Sequence, residues 1–162
     1  MTEKEYNACV DRYSDRVFGF VLKNIKNGED AKDIVQTAFE KLWKCRDQVD
    51  CDKAKSFLFT VAYNQIIDES RTNKRIQFFG RLDVKLRIEP SVQNMQLRKT
   101  LMEALDRLNH TQRSLVMLKD YEGYNYAEIG KITNLDAVQV KVYLHRARLK
   151  LKEYLVSPEN VM

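Results

Sequence analysis

Glycine and proline are scarce in this sequence, with five and two residues among 162. Turn-dense β architectures and glycine-rich phosphate loops depend on these residues, so their scarcity favours a mostly helical protein. A long apolar run is also missing, as is a charged segment followed by an apolar one. We therefore expect neither a transmembrane helix nor a secretory signal, and we expect a soluble protein of the cytoplasm.

Candidate catalytic and metal-binding residues are equally sparse. The three cysteines, Cys9, Cys45 and Cys51, form an odd set without zinc-finger spacing, so reduced thiols are the expectation. The two histidines, His110 and His145, stand in unrelated surroundings, and no nucleophile–base set or carboxylate pair suits catalysis. The sequence thus predicts no enzyme, no metal site and no cofactor.

The region from Asn125 to Leu155 has the pattern of two helices joined by a tight turn. Asn125 is a suitable N-cap for a short helix that ends near Ile132. Asn134 suits the turn, because asparagine tolerates positive φ, and Asp136 can cap a second helix that ends near Leu155. This order is typical of a helix-turn-helix, whose second helix enters the major groove of DNA.

The second of these helices has two different faces. A predicted core stripe at helical spacing consists of Val140, Leu144, Ala147, Leu151 and Tyr154. Val138, Val142, His145 and Arg146 point away from it, Lys141 lies on the flank, and Arg148 and Lys150 follow. Arginine and lysine can contact guanine edges or phosphates, and a valine methyl can contact thymine. The alternative is an ordinary amphipathic helix whose basic face is solvated; the net charge of +5 permits either.

The first 53 residues predict two helices and a polar loop. The first helix runs from Glu3 to about Lys26, and Asn27-Gly28 ends it. The second opens near Asp30 and runs to about Asp47, and the loop covers residues 48–53. A polar strip on the second helix contains Asp33, Gln36, Thr37, Glu40 and Lys44. Such a strip can dock on a basic helical partner, although spacing alone favours a plain solvated face.

A third helix is predicted from Ala54 to about Arg75, and it becomes basic towards its end. Cations there suit the negative end of the helix dipole and also a phosphate backbone. Residues 77–94 lack a helical period and predict a linker. Further helices are expected from Met95 to Leu108, with Leu97, Leu101, Leu105 and Leu108 on one side, and from Thr111 to about Tyr121, with Asn109 as a cap or turn residue.

The end of the chain resembles region 4 of the extracytoplasmic-function (ECF) sigma factors of bacterial RNA polymerase. The family pattern EG-x-SYEEIA followed by VK-x-x-L-x-RAR is matched by EGYNYAEIG and by VKVYLHRAR. The resemblance implies that this helix-turn-helix binds the promoter −35 element. The implied contacts are Lys141, Val142, His145, Arg146, Arg148 and Lys150. Val138 stands where the family often has glycine, and Tyr143 where it often has a polar residue.

A second resemblance lies in the first half of the chain. DIVQTAFEKLW resembles region 2.2 of the same family, which binds the clamp helices of the largest polymerase subunit, and this implies contacts from Asp33, Gln36, Thr37 and Glu40. SFLFTVAYN resembles regions 2.3 and 2.4, which open and read the −10 element. Asn64 would read an unstacked base, residues 48–53 would wall its pocket, and Arg71, Lys74 and Arg75 would hold phosphates.

The two resemblances occur in the family's order and together cover nearly all of the chain. They imply an all-α sigma factor with a region 2 bundle at 1–76, a linker at 77–94 and a region 4 helix-turn-helix at 95–162. Its partners would be core RNA polymerase, promoter DNA and an anti-sigma protein, often membrane-anchored in the family. Two alternatives remain: a stand-alone helix-turn-helix regulator, which needs no region 2, and a helical adaptor that binds only protein.

Overall fold

The computed structural model describes residues 1–72 and 92–156, and every regular element within these ranges is helical. The all-α prediction is therefore confirmed. The chain divides into two compact units whose main parts are these two ranges, and each unit is described by itself. No helix within the described ranges is long and apolar enough to cross a membrane.

The N-terminal unit is a bundle of three helices that pack on one another, α1 (Glu3–Ile25), α2 (Gly28–Lys44) and α3 (Cys51–Thr72). Each helix turns an apolar stripe inward, and burying such stripes is what stabilises a bundle of this kind. The rings of Phe20 and Phe59 meet edge to face, with centroids 5.3 Å apart. The fully buried large side chains of this unit are Val17, Phe20, Leu42, Leu58, Phe59 and Ile66.

The junction between α1 and α2 differs from the prediction. α1 is closed by Lys26, which adopts the left-handed conformation with φ of 61°. Asn27 then caps α2, and its side-chain oxygen accepts hydrogen bonds from the N–H groups of Glu29 and Asp30. The predicted opening at Asp30 was wrong, because the asparagine that breaks the pattern of α1 also supplies the cap of the next helix.

The connection between α2 and α3 lies three residues earlier than predicted. α2 ends at Lys44 rather than near Asp47, and α3 already begins at Cys51. The predicted loop at residues 48–53 was therefore wrong for its second half, which forms the first turn of α3. Asp52 lies in that first turn, where a carboxylate interacts favourably with the helix dipole. The polarity of residues 48–53 had suggested a loop, but acidic residues are also favourable in the first turn of a helix.

The C-terminal unit contains α4 (Val92–Asp106), α5 (His110–Val116), a π-helical turn (Met117–Tyr121), α6 (Tyr126–Thr133) and α7 (Ala137–Val156). α7 packs against α5 and α4. Its buried side chains are those of the predicted core stripe, except that Tyr154 is only partly buried. The other fully buried large side chains of this unit include Leu105, Leu115, Leu118 and Ile129. This packing fixes which face of α7 is left exposed.

The start of this unit differs from the sequence analysis in the first residue of α4 and in the exposure of Leu97. α4 begins at Val92, inside the predicted linker of residues 77–94, whose remaining residues lie outside the described ones. Leu97 is 67% exposed, although its spacing placed it on the same side of the helix as Leu105 and Leu108, which are buried. Asn109 is confirmed as an N-cap, since its side chain accepts from the Gln112 N–H at 2.8 Å.

A buried arginine stabilises the junction between α4 and α5. Arg113 is 5% exposed, and burial lowers the pKa of its guanidinium from the ordinary value. Its Nε donates to the carbonyl oxygen of Leu105 at 2.9 Å, and its Nη2 donates to that of Leu108 at 2.7 Å. The Leu105 carbonyl, in the last turn of α4, also accepts from the Leu108 N–H at 3.1 Å, so the guanidinium adds a second donor there and supplies one to the carbonyl of Leu108. The orientation of α5, on which α7 packs, depends on it.

Candidate nucleic-acid and protein interfaces

The turn of the helix-turn-helix is built as the sequence predicted. The Asn125 side chain accepts from the Glu128 N–H at 2.8 Å, and Asn134 has a φ of 59°. Asp136 and Gln139 cap α7 reciprocally: the Gln139 N–H donates to the Asp136 carboxylate at 2.7 Å, and the Asp136 N–H donates to the Gln139 side chain at 3.1 Å. The turn is therefore rigidly specified by short polar contacts.

Gly130 is a part of the turn that the sequence analysis missed. A Cβ added at this position would lie 2.7 Å from the carbonyl oxygen of Leu135, which is closer than real Cβ contacts come. The Leu135 N–H also donates to the Gly130 carbonyl at 3.0 Å, so the backbone on the two sides of the turn is in contact. Only glycine fits here, and no spacing rule signals the requirement because φ is not positive.

The exposed face of α7 is confirmed as predicted. Val140, Leu144, Ala147 and Leu151 are buried, which turns the opposite face of the helix outward. The residues predicted to contact the −35 element are all exposed: Lys141, Val142, His145, Arg146, Arg148 and Lys150. α7 has no acidic residue between positions 141 and 152. Its cationic surface is therefore electrostatically complementary to a phosphate backbone.

Two of these cations have partners within the protein. Arg148 forms an ion pair with Asp120 at 3.1 Å, and the two side chains are 46% and 49% exposed. The Lys141 ammonium lies 5.6 Å from the ring centroid of Tyr126, where the Lys119 ammonium also lies at 4.9 Å. Residues 119, 120 and 126 are thus neighbours of the basic face that the sequence analysis missed. No local spacing could reveal them, because they come from other elements.

The polar strip on α2 is also exposed as predicted. Asp33, Gln36 and Glu40 are exposed and Thr37 is half-buried. Gln36 Nε2 donates to Glu40 Oε1 at 3.3 Å, and the Thr37 hydroxyl donates to the Asp33 carbonyl at 2.9 Å. Burial, together with the nearby carboxylates of Asp30 and Asp33, raises the pKa of Glu69 on α3. The strip thus presents the carboxylates of Asp33 and Glu40, which suit a basic partner surface.

The predicted −10 residues lie on or after α3. Asn64 is exposed, while Leu58, Phe59 and Ala62 on the same helix are buried, so the amide projects from a rigid support. Position 71 lies in the last turn of α3. Lys74 and Arg75 lie outside the described residues, as does the side chain of Arg71. The pocket wall predicted from residues 48–53 now consists of three connecting residues and the first turn of α3.

Both units match parts of one known protein family. Residues 9–76 match Sigma-70 region 2, and residues 98–151 match Sigma-70, region 4. The chain is 26% identical to the RNA polymerase sigma factor CarQ of Myxococcus xanthus over 148 residues, covering 89% of this chain and 85% of CarQ. It is 27% identical to the ECF RNA polymerase sigma factor SigW of Bacillus subtilis over 161 residues, covering 90% and 86%.

Solved structures show the same fold. The sigma factor RpoE, in a co-crystal structure with the anti-sigma factor NepR from Bartonella quintana, superposes with a TM-score of 0.77. That match has 20% identity and covers 96% of this chain and 99% of RpoE. CnrH, solved in complex with the cytosolic domain of CnrY, superposes with a TM-score of 0.68 at 20% identity, covering 97% and 91%.

Proposed function

The chain belongs to the ECF group of the sigma-70 family, and from this membership we propose which residues direct RNA polymerase to its promoters. Sigma factors act by binding, so we propose that the chain performs no covalent chemistry. We also place it in the cytoplasm, where RNA polymerase works. A stand-alone helix-turn-helix regulator would not need the N-terminal unit, and the region 2 match over residues 9–76 therefore favours the sigma factor.

Core polymerase would bind the polar strip on α2. Asp33, Gln36 and Glu40 present carboxylate and amide groups to solvent, and Thr37 lies among them. The buried stripe on the opposite side of α2 holds this face outward, and Asp33 and Glu40 give it two carboxylates. Complementary charge of this kind chiefly sets the specificity and the rate of docking.

Promoter opening would use the end of α3. Asn64 is exposed on a helix whose other side is buried in the bundle, so its amide is available to read the edge of a base that has left the duplex. Capturing each unstacked base contributes about 1–3 kcal/mol. Arg71, Lys74 and Arg75 would hold the phosphates beside it, as the family resemblance predicts.

The −35 element would be read by α7. Lys141, Val142, His145 and Arg146 form the contact face, and Lys150 would contact a phosphate. Arg148 would reach a phosphate by exchanging its exposed ion pair with Asp120, which costs little free energy because exposed pairs contribute only roughly 0–1 kcal/mol.

An anti-sigma protein is the remaining proposed partner. Two proteins with the same fold were solved in complexes, the sigma factor RpoE with the anti-sigma factor NepR and CnrH with the cytosolic domain of CnrY. We propose that this chain also has an inhibitory partner of this kind, and that the partner covers surfaces needed for polymerase and promoter binding.

Co-purification of the chain with bacterial core RNA polymerase, followed by transcription from genomic DNA, tests the function. We expect a stoichiometric complex that initiates at new promoters. The double variant Asp33→Ala/Gln36→Ala should form less complex, whereas the control Asn7→Ala/Asp11→Ala, which removes an exposed amide and carboxylate from α1, should bind normally.

Two results would contradict these proposals. Equal binding by the α2 variant and wild type would mean that the polar strip is an ordinary solvated face. Absence of a wild-type complex, with the chain shown to be folded and free of an inhibitory partner, would favour a stand-alone DNA-binding regulator.

A further inference from the structure

Two valines are unusually exposed at the start of α7. Val138 is 70% exposed and Val142 is 39% exposed, and they lie one helical turn apart on the same face. Surface valines are common singly, but a pair on the face of a candidate recognition helix has a position that suits contact with a partner. A partner that contacts the two valines must offer them an apolar surface.

The surroundings of the pair favour DNA over a protein partner. Lys141, His145 and Arg146 share the face of the two valines, at positions three, seven and eight residues after Val138. A protein surface apolar enough to bury the valines would have to desolvate these cations, which is costly. The major groove instead offers apolar groups and anionic phosphates together.

The apolar group of the major groove is the thymine 5-methyl. Recognition helices contact base edges with their N-terminal residues, and Val138 and Val142 are the second and sixth residues of α7. Their separation along the helix axis is about 6 Å, which corresponds to about two base-pair steps of B-DNA. Leu149 is also exposed, at 47%, but lies about 10 Å further along the helix than Val142, near the limit of a groove about 12 Å wide.

We propose that Val138 and Val142 are specificity-determining residues that read the 5-methyl groups of two thymines, about two base-pair steps apart, in the −35 element. This inference rests on the proposed −35 contact of α7. It adds a preference for thymine to that contact, and it adds Val138 to the residues that make it. Among the cations of the same face, Lys141 would position the helix on a phosphate without selecting a sequence.

The test uses the complex of the chain with core polymerase and duplexes selected by it from a library with a randomised −35 region. Each selected thymine is then replaced by uracil, which lacks only the methyl group. We expect affinity to fall about fourfold at each of two positions, the value for losing one buried methyl group. In Val138→Ala the uracil effect should disappear at one of them, and in Val142→Ala at the other.

Two controls separate this inference from its premise. Leu149→Ala should retain both uracil effects, because that side chain lies beyond the base contacts. Lys141→Gln should weaken binding to all duplexes while retaining the uracil effects. Selective −35 binding with no uracil effect at any position would overturn the inference and leave the −35 assignment intact. Failure to select any −35 sequence would overturn both.

Discussion

Replacing Arg113 with alanine should lower the stability of the C-terminal unit selectively. Its two short hydrogen bonds, at 2.9 and 2.7 Å, satisfy the carbonyls of Leu105 and Leu108 in a buried site. Hydrogen bonds from charged groups contribute about 1.5–3 kcal/mol each, so the loss of two is roughly 3–6 kcal/mol. A unit of this size has roughly 3–10 kcal/mol of stability, and each kcal/mol shifts its melting temperature by about 4–8 °C. We therefore expect a fall of more than about 10 °C.

The single tryptophan provides an internal control for this experiment. Trp43 lies in the N-terminal unit, with its ring 4.9 Å from that of Tyr6 and the Arg46 guanidinium 4.0 Å above it. Thermal unfolding followed by tryptophan fluorescence should therefore be unchanged in Arg113→Ala. The part of the helical circular dichroism signal that comes from the C-terminal unit should be lost at a lower temperature. Exposed Arg146→Ala is the matched control. An unchanged dichroism transition in Arg113→Ala would refute the assigned role of this arginine.

Three further predictions concern the interfaces. Asn64→Ala should lower promoter opening, measured by permanganate reactivity, without changing polymerase binding; unaltered opening at every promoter would remove Asn64 from the base pocket. Arg146→Ala should weaken −35 duplex binding by roughly tenfold, since one good base contact contributes about 1–3 kcal/mol. The control Arg107→Ala, which removes another exposed arginine, should leave the affinity unchanged. Equal losses of affinity in the two variants would indicate a nonspecific charge effect. Asp120→Asn should raise duplex affinity at low salt by freeing Arg148, and an unchanged affinity would assign that arginine a purely structural role.

Local sequence patterns predicted most of the fold. Helical spacing identified the buried stripe of α7, since Val140 and Leu144 face inward in the structure. Short-range polar contacts were predicted equally well, because an N-cap involves residues only two or three positions apart. Asn125, Asn109 and Asp136 all cap helices as expected. These features depend on neighbours in the sequence, and pattern reasoning is strongest for that kind of interaction.

Leu97 shows where helical spacing stops being informative. It continues the stripe of Leu105 and Leu108, but it is exposed because a stripe is buried only where another helix covers it. α7 packs against α4, but the sequence does not indicate how far along α4 that cover extends. The π-helical turn at Met117–Tyr121 was unpredictable for a similar reason, since its hydrogen-bond pattern differs from that of an α-helix without a distinct residue signature.

The basic face of α7 shows why counting cations is a poor guide to DNA contacts. In the sequence, Arg146 and Arg148 are the same residue type two positions apart, and neither has a partner that the sequence indicates. In the structure Arg148 lies beside the carboxylate of Asp120, 28 residues earlier in the chain, so a phosphate would have to displace that partner. An arginine without such a partner gives up only water on binding DNA. We therefore expect Arg146 to contribute more to duplex affinity than Arg148, and Asp120→Asn to reduce the difference between them.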